Sequence, residues 1–204
     1  IDARLEGVVK GLMSEVKKSL SLDYRGVNTE LAKFSWDPAE TPILYLTGHE
    51  GFEFDEDLRK KLRWFLQDGG TLIGDACCGR KEYRESFLSE MNAIFPKHKI
   101  ERVPEDHPLL TSFHKIDAVN FIGEDQKAFK GAPVLESVHL GCRAAVIFTP
   151  YDLSCGWDGH RHDQGRRERR RRPGRVHVHL RARRRWHRPV RSPAVLHGPT
   201  PSPG

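Results

Sequence analysis

Residues 43–79 constrain this chain more than any other stretch: ILYLTGHEGFEFDEDLRKKLRWFLQDGGTLIGDACCG. Ile43 to Leu46 is an apolar run without alternation, which suits a strand covered on both faces. Asp55 offers a side-chain oxygen to cap a helix, and Glu56 and Asp57 fall near the positive end of its dipole. Leu58, Leu62, Phe65 and Leu66 share one helical face, with Arg59, Lys60, Lys61 and Arg63 largely opposite. Asp68-Gly69-Gly70 ends the helix, because glycine enters the left-handed cap conformation at little cost. Thr71 to Ala76 forms a second strand. Together these make a β-α-β unit whose strands must run parallel, with an expected right-handed crossover.

That topology locates chemistry. Ligands of an open parallel sheet bind beyond the carboxyl ends of its strands. His49 follows the first strand directly, and Asp75, Cys77 and Cys78 close the second. A third apolar strand, Ala144 to Thr149, runs into the polar sequence PYDLSCGWDGH. His49, Cys78 and Asp152 are therefore expected on one edge of the sheet.

The rest of the chain supplies the other layers. Ala3 to Leu20 has Leu5, Val8, Val9, Leu12, Met13 and Val16 at helical spacing. Val27 to Trp36 reads as a strand ended by Asp37-Pro38. A second amphipathic helix, about Glu82 to Phe95, carries Phe87, Leu88, Met91, Ile94 and Phe95 inward and stops at Pro96. Ile100 to Val103 is a short strand, residues 104–114 a proline-bearing loop, and 119–122 and 134–140 further short strands. This order predicts an α/β three-layer sandwich around a mainly parallel sheet. No run reaches the length of a membrane span.

Charge divides the chain. The net charge of +6 hides a body, residues 1–164, with 21 basic and 27 acidic residues, a net of −6. Residues 165–204 carry 13 arginines, no lysine and one acid, a net of +12. The four cysteines, Cys77, Cys78, Cys142 and Cys155, match neither a disulfide framework nor a paired zinc spacing. The adjacent pair is not read as a mutual disulfide.

Several separated motifs carry a family resemblance: LYLTGHEGFEF, DGGTLIGDACCG, ESFLSEMNAIFP, EDHPLLTSF and VIFTPYDLSCGWDG, in that order. Across about residues 10–160 the chain resembles domain-of-unknown-function family 4159, a bacterial family similar in fold to class I glutamine amidotransferases. The resemblance implies a flavodoxin-like sheet and an exported or membrane-associated setting, and it brings no activity with it. A strand that usually precedes the first helix is missing here, and so are the helix and strand expected after Gly159. The domain, residues 1–160, is thus read as truncated at both ends.

Each candidate site residue has a plainer alternative. Cys77 and Cys78 stand between a strand and a helix, where amidotransferase-like enzymes hold a nucleophilic cysteine and a helix N-terminus lowers a thiol pKa. DACCGR is not their G-x-C-x-G elbow, and the plainer reading packs one cysteine inward while the other lines a crevice. His49 is a base, a ligand, or a loop-fixing hydrogen bonder. Gly48, Asp75, Tyr151, Asp152, Trp157 and Asp158 suit a small polar ligand, with Trp157 as an apolar wall; the plainer reading is a capping loop held by Asx turns. His107 reads as a solvated loop histidine. Cys77, Cys78, His49, Cys155 and His160 include metal donors, but their spacing assigns no metal and no cofactor.

Residues 161–204 are read as a disordered tail, since the stretch from 165 has no Phe, Ile or Lys and six prolines. Arginine, proline, glycine, alanine and histidine share GC-rich codons, so a shifted reading frame is the preferred explanation, over an arm that neutralises phosphates. The leading function is binding of a small polar molecule or glycan at the carboxyl edge of the sheet. The alternatives are a cysteine-dependent hydrolase or amidase, and nucleic-acid binding through the tail.

Overall fold

The computed structural model describes residues 3–22, 24–27, 30–122, 128–153 and 179–182. Helix α1 spans Ala3–Leu20, as its periodicity predicts. Strand β2, Ile43–Gly48, is followed by α2, Glu56–Gln67, and β3, Thr71–Ala76. Asp55 caps α2, its Oδ1 accepting from Leu58 N at 2.7 Å. Gly69 ends the helix with φ 113°, a conformation that costs side-chain-bearing residues far more. Helix α3 covers Lys81–Ile94, and β8, the strand expected near 144–149, covers Arg143–Thr149.

Between α3 and β8 lie β4 (Glu101–Arg102), α4 (Pro108–Thr111), β5 (Val119–Ile122), β6 (Ala128–Gly131) and β7 (Glu136–Leu140). The central sheet has the order β1-β9-β2-β3-β8-β7-β4, where β1 is Tyr24–Val27 and β9 is His179–Ala182. Five of these seven strands point the same way; β7 and β9 run against them. At the centre, β2, β3 and β8 are adjacent and parallel. The chain is thus a mixed α/β fold with a mostly parallel central sheet. Strands β5 and β6 form a separate hairpin.

Three local expectations change. The strand predicted over 27–36 is instead β1, ending at Val27, followed by a 3-10 turn at Leu31–Lys33. That turn seats Phe34, itself extended, edge-on against Phe65 of α2, so tertiary burial overrides the strand propensity of the segment. The loop at 104–114 contains α4, capped by His107, whose Nδ1 accepts from Leu109 N at 3.1 Å. Strand β6 is an addition, a partner that lets β5 satisfy its backbone. Within the tail, His179–Ala182 pairs with both β1 and β2; the other residues of 161–204 lie outside those described, as does the reading of them as a nucleic-acid arm.

The core sits on one face of the sheet. Leu44, Leu46, Leu72, Ala76, Val146 and Phe148 meet Leu62, Phe65 and Leu66 of α2 and Tyr83, Phe87, Met91 and Ile94 of α3. Each large aliphatic or aromatic side chain buried there contributes about 1.5–3 kcal/mol. Gly74 sets the spacing: a Cβ at that position would stand 2.4 Å from the Phe87 ring, so its absence lets α3 lie close to β3. Phe87 stacks on Phe148 with ring centroids 4.6 Å apart. Arg59 joins α2 to α3 through a two-pronged pair with buried Glu90, both contacts 2.9 Å. Arg143 donates to the carbonyls of Leu66 and Gly70, which closes the exposed end of α2.

Candidate functional site

Strand alternation places two rows of side chains at the carboxyl ends of β2, β3 and β8. Even-numbered residues of β2 and β3 face the helices. On the opposite face the register aligns Thr47, Asp75 and Thr149, and all three are buried. Asp75 accepts from the Tyr45 hydroxyl at 2.5 Å and from Leu153 N at 3.1 Å. It thereby ties the loop after β8 to β3, a structural duty for a residue first read as ligand-binding. Thr47 Oγ1 has no hydrogen-bond partner among the described residues.

Above this row the chain changes from strand to helix at Cys77–Gly79, a 3-10 turn. Cys78 is held there at φ 56°, ψ 20°, the left-handed region that a residue with a Cβ enters at a cost of about 1–2 kcal/mol. Its backbone N donates to Asp152 Oδ2 at 2.8 Å. The same oxygen lies 3.6 Å from Cys77 Sγ. The two sulfurs are 3.9 Å apart, and both residues remain thiols. Helix α3 begins three residues after Cys78, so its positive N-terminal dipole faces the turn.

His49 reaches the same place from β2. It follows Gly48, and its loop is fastened to α3 where Phe52 N donates to Ser86 Oγ at 3.1 Å. The hydrogen bond to the Cys78 side chain raises its pKa above the ordinary histidine value; partial burial opposes this, the charges of Cys78 and Asp152 add to it, and Arg80 works against it. One ligand atom from each of His49, Cys77 and Cys78 lies within 4.8 Å of the others. His49 and Cys78 are exposed while Cys77 and Asp152 are half-buried. On the helix side, Tyr83 donates to Leu46 O at 2.7 Å, and burial, with the Asp75 and Cys77 charges, pushes its hydroxyl pKa well up.

The fold thus brings together His49, Cys77, Cys78 and Asp152 from three strand ends, on the edge where the sequence expects them. Tyr151 lies nearby in sequence but is exposed, its ring 4.5 Å from that of Phe121. Trp157, Asp158, Cys155 and His160 fall outside the described residues. His107 takes no part; it caps α4 and its Nε2 lies 3.3 Å from His139 Nε2. Sequence reasoning missed Tyr45, Thr47 and Arg80. The signal for the first two was the alternation of β2, which puts them on the face of Asp75.

A mixed α/β domain with a thiol–imidazole–carboxylate cluster at the carboxyl ends of parallel strands is the class defined here. The chain belongs to the family described as domain of unknown function DUF4159, which matches residues 1–178 and so continues past position 160. No curated protein matches the chain. Among the described residues, no helix is long and apolar enough to cross a membrane.

Proposed function

We propose that this domain binds a small polar molecule or glycan at the carboxyl ends of β2, β3 and β8, and that Cys78 attacks a carbonyl of that ligand. The reading makes it a bacterial, amidotransferase-like and flavodoxin-like domain with cysteine-dependent hydrolase or amidase chemistry. One observation carries it: Cys78 is held in a left-handed turn between strand and helix with a ring nitrogen of His49 within 4.8 Å of its sulfur. Left-handed geometry at a non-glycine residue persists only where the surroundings enforce it, and such positions cluster at working sites. Here Asp152 enforces it by accepting from Cys78 N.

The step follows from those positions. His49 takes the thiol proton as the sulfur attacks the carbonyl carbon. It returns the proton to the departing amine or alcohol, leaving a thioester on Cys78. Water, deprotonated by His49, then releases the acid and restores the thiol. Asp152 orients Cys78 through the backbone and acts as a positioning residue.

Thiol reactivity tests the proposal. In metal-free buffer, iodoacetamide should label Cys78 far faster than Cys142, an exposed thiol at the opposite end of β8. His49→Ala should bring Cys78 down to the Cys142 rate. Equal labelling of the two cysteines in the unaltered protein overturns the reading.

A further inference from the structure

We propose that His49, Cys77 and Cys78 also form a three-ligand site for a soft or borderline divalent cation of the zinc class, with its fourth position open. The inference stands apart from the thiol chemistry, because it needs these side chains as donors and not as reactants. A tetrahedral ion with metal–sulfur bonds of about 2.3 Å holds two thiolates about 3.8 Å apart. The sulfurs of Cys77 and Cys78 are 3.9 Å apart. Neighbouring residues on a strand point to opposite faces. It is the turn at Cys77–Gly79, with Cys78 left-handed, that converges these two.

The third donor completes the set. Imidazole nitrogen and thiolate sulfur on such an ion stand about 3.6 Å apart. All three ligand atoms already lie within 4.8 Å, and His49 is exposed, so rotation of its side chain closes the remaining gap. Two thiolates neutralise a dication, with the imidazole as neutral third ligand. Two sulfurs and one nitrogen favour zinc-class ions over magnesium or calcium, which take oxygen. Asp152, on Cys78 N and beside Cys77 Sγ, is the outer carboxylate that fixes the thiol pair. Three protein ligands on an exposed edge leave room for water or a ligand, the arrangement of reactive and not of purely structural zinc.

Titration of the full chain with zinc, and with cobalt as a spectroscopic probe, tests this under constant reductant. One ion per chain is expected, with thiolate-to-cobalt charge-transfer absorption. Cys77→Ser and Cys78→Ser should each abolish that absorption, Cys142→Ser should keep it, and Asp152→Asn should weaken binding about 10–100-fold. No stoichiometric binding overturns the inference. So does binding that survives both Cys77→Ser and Cys78→Ser, which would place the ion on other histidines of the chain. Fast labelling of Cys78 without metal binding would sink this site and leave the thiol chemistry standing; metal binding with ordinary labelling would do the reverse.

Discussion

The same three strands, β2, β3 and β8, present two regions built on opposite logic. Their helix-covered face is apolar and closely packed, with Gly74 admitting Phe87 and Arg59 meeting Glu90 twice. Their carboxyl ends hold a buried Thr47 hydroxyl with no partner among the described residues, a left-handed Cys78 and an acid, Asp152, that accepts from the Cys78 backbone N–H. The first region lowers the free energy of the fold. The second consumes part of that gain to hold reactive groups in place, which is the pattern expected where function competes with stability.

Mutations can break or sharpen this contrast. The largest effect is expected at Leu62→Ala, in the middle of the buried face of α2, which should destabilise the protein by about 2–5 kcal/mol. Urea denaturation measures it; a loss within about 0.5 kcal/mol, typical of surface positions, would remove the helix-covered face from the account.

Changes at the carboxyl ends should run the other way. Thr47→Val keeps the shape and deletes a buried hydroxyl without a partner among the described residues, so stability should rise by about 1 kcal/mol. A clear loss in the same titration would mean that Thr47 is satisfied after all. The smallest effect is expected at Cys78→Gly. Relief of left-handed strain, worth about 1–2 kcal/mol, is partly offset by the entropy of glycine, about 0.5–1 kcal/mol. A net gain of about 0.5 kcal/mol should appear as a raised Tm, together with loss of fast thiol labelling. A lowered Tm would show that the Cys78 side chain is there to stabilise the fold.

Much of the architecture was legible because it is local. Asp55 as cap, the apolar stripe from Leu58 to Leu66 and the Gly69 stop define α2 within a few residues. Apolar runs at 43–46 and 144–149 locate β2 and β8. Placing His49, Cys78 and Asp152 at one end needed only the parallel topology. Legibility failed where the deciding partner is remote. The 3-10 turn at Leu31–Lys33 replaces the strand expected there because it seats Phe34 against Phe65. The hydrogen bonds that Asp75 accepts from Tyr45 and Leu153 N were likewise out of reach of the sequence.

By itself, then, the sequence determined most of the elements, the parallel pairing of β2 with β3, and the edge on which the polar residues gather, since periodicity, caps and crossover rules are properties of short segments. The tertiary structure alone decided the distances at that edge. The grip of Asp152 on Cys78 N joins residues 74 positions apart, and it holds the left-handed turn in which the two neighbouring sulfurs stand 3.9 Å apart. Such contacts arise from how three strand ends are stacked. No pattern along the chain encodes them, because spacing in sequence does not fix spacing in space once the chain has crossed over.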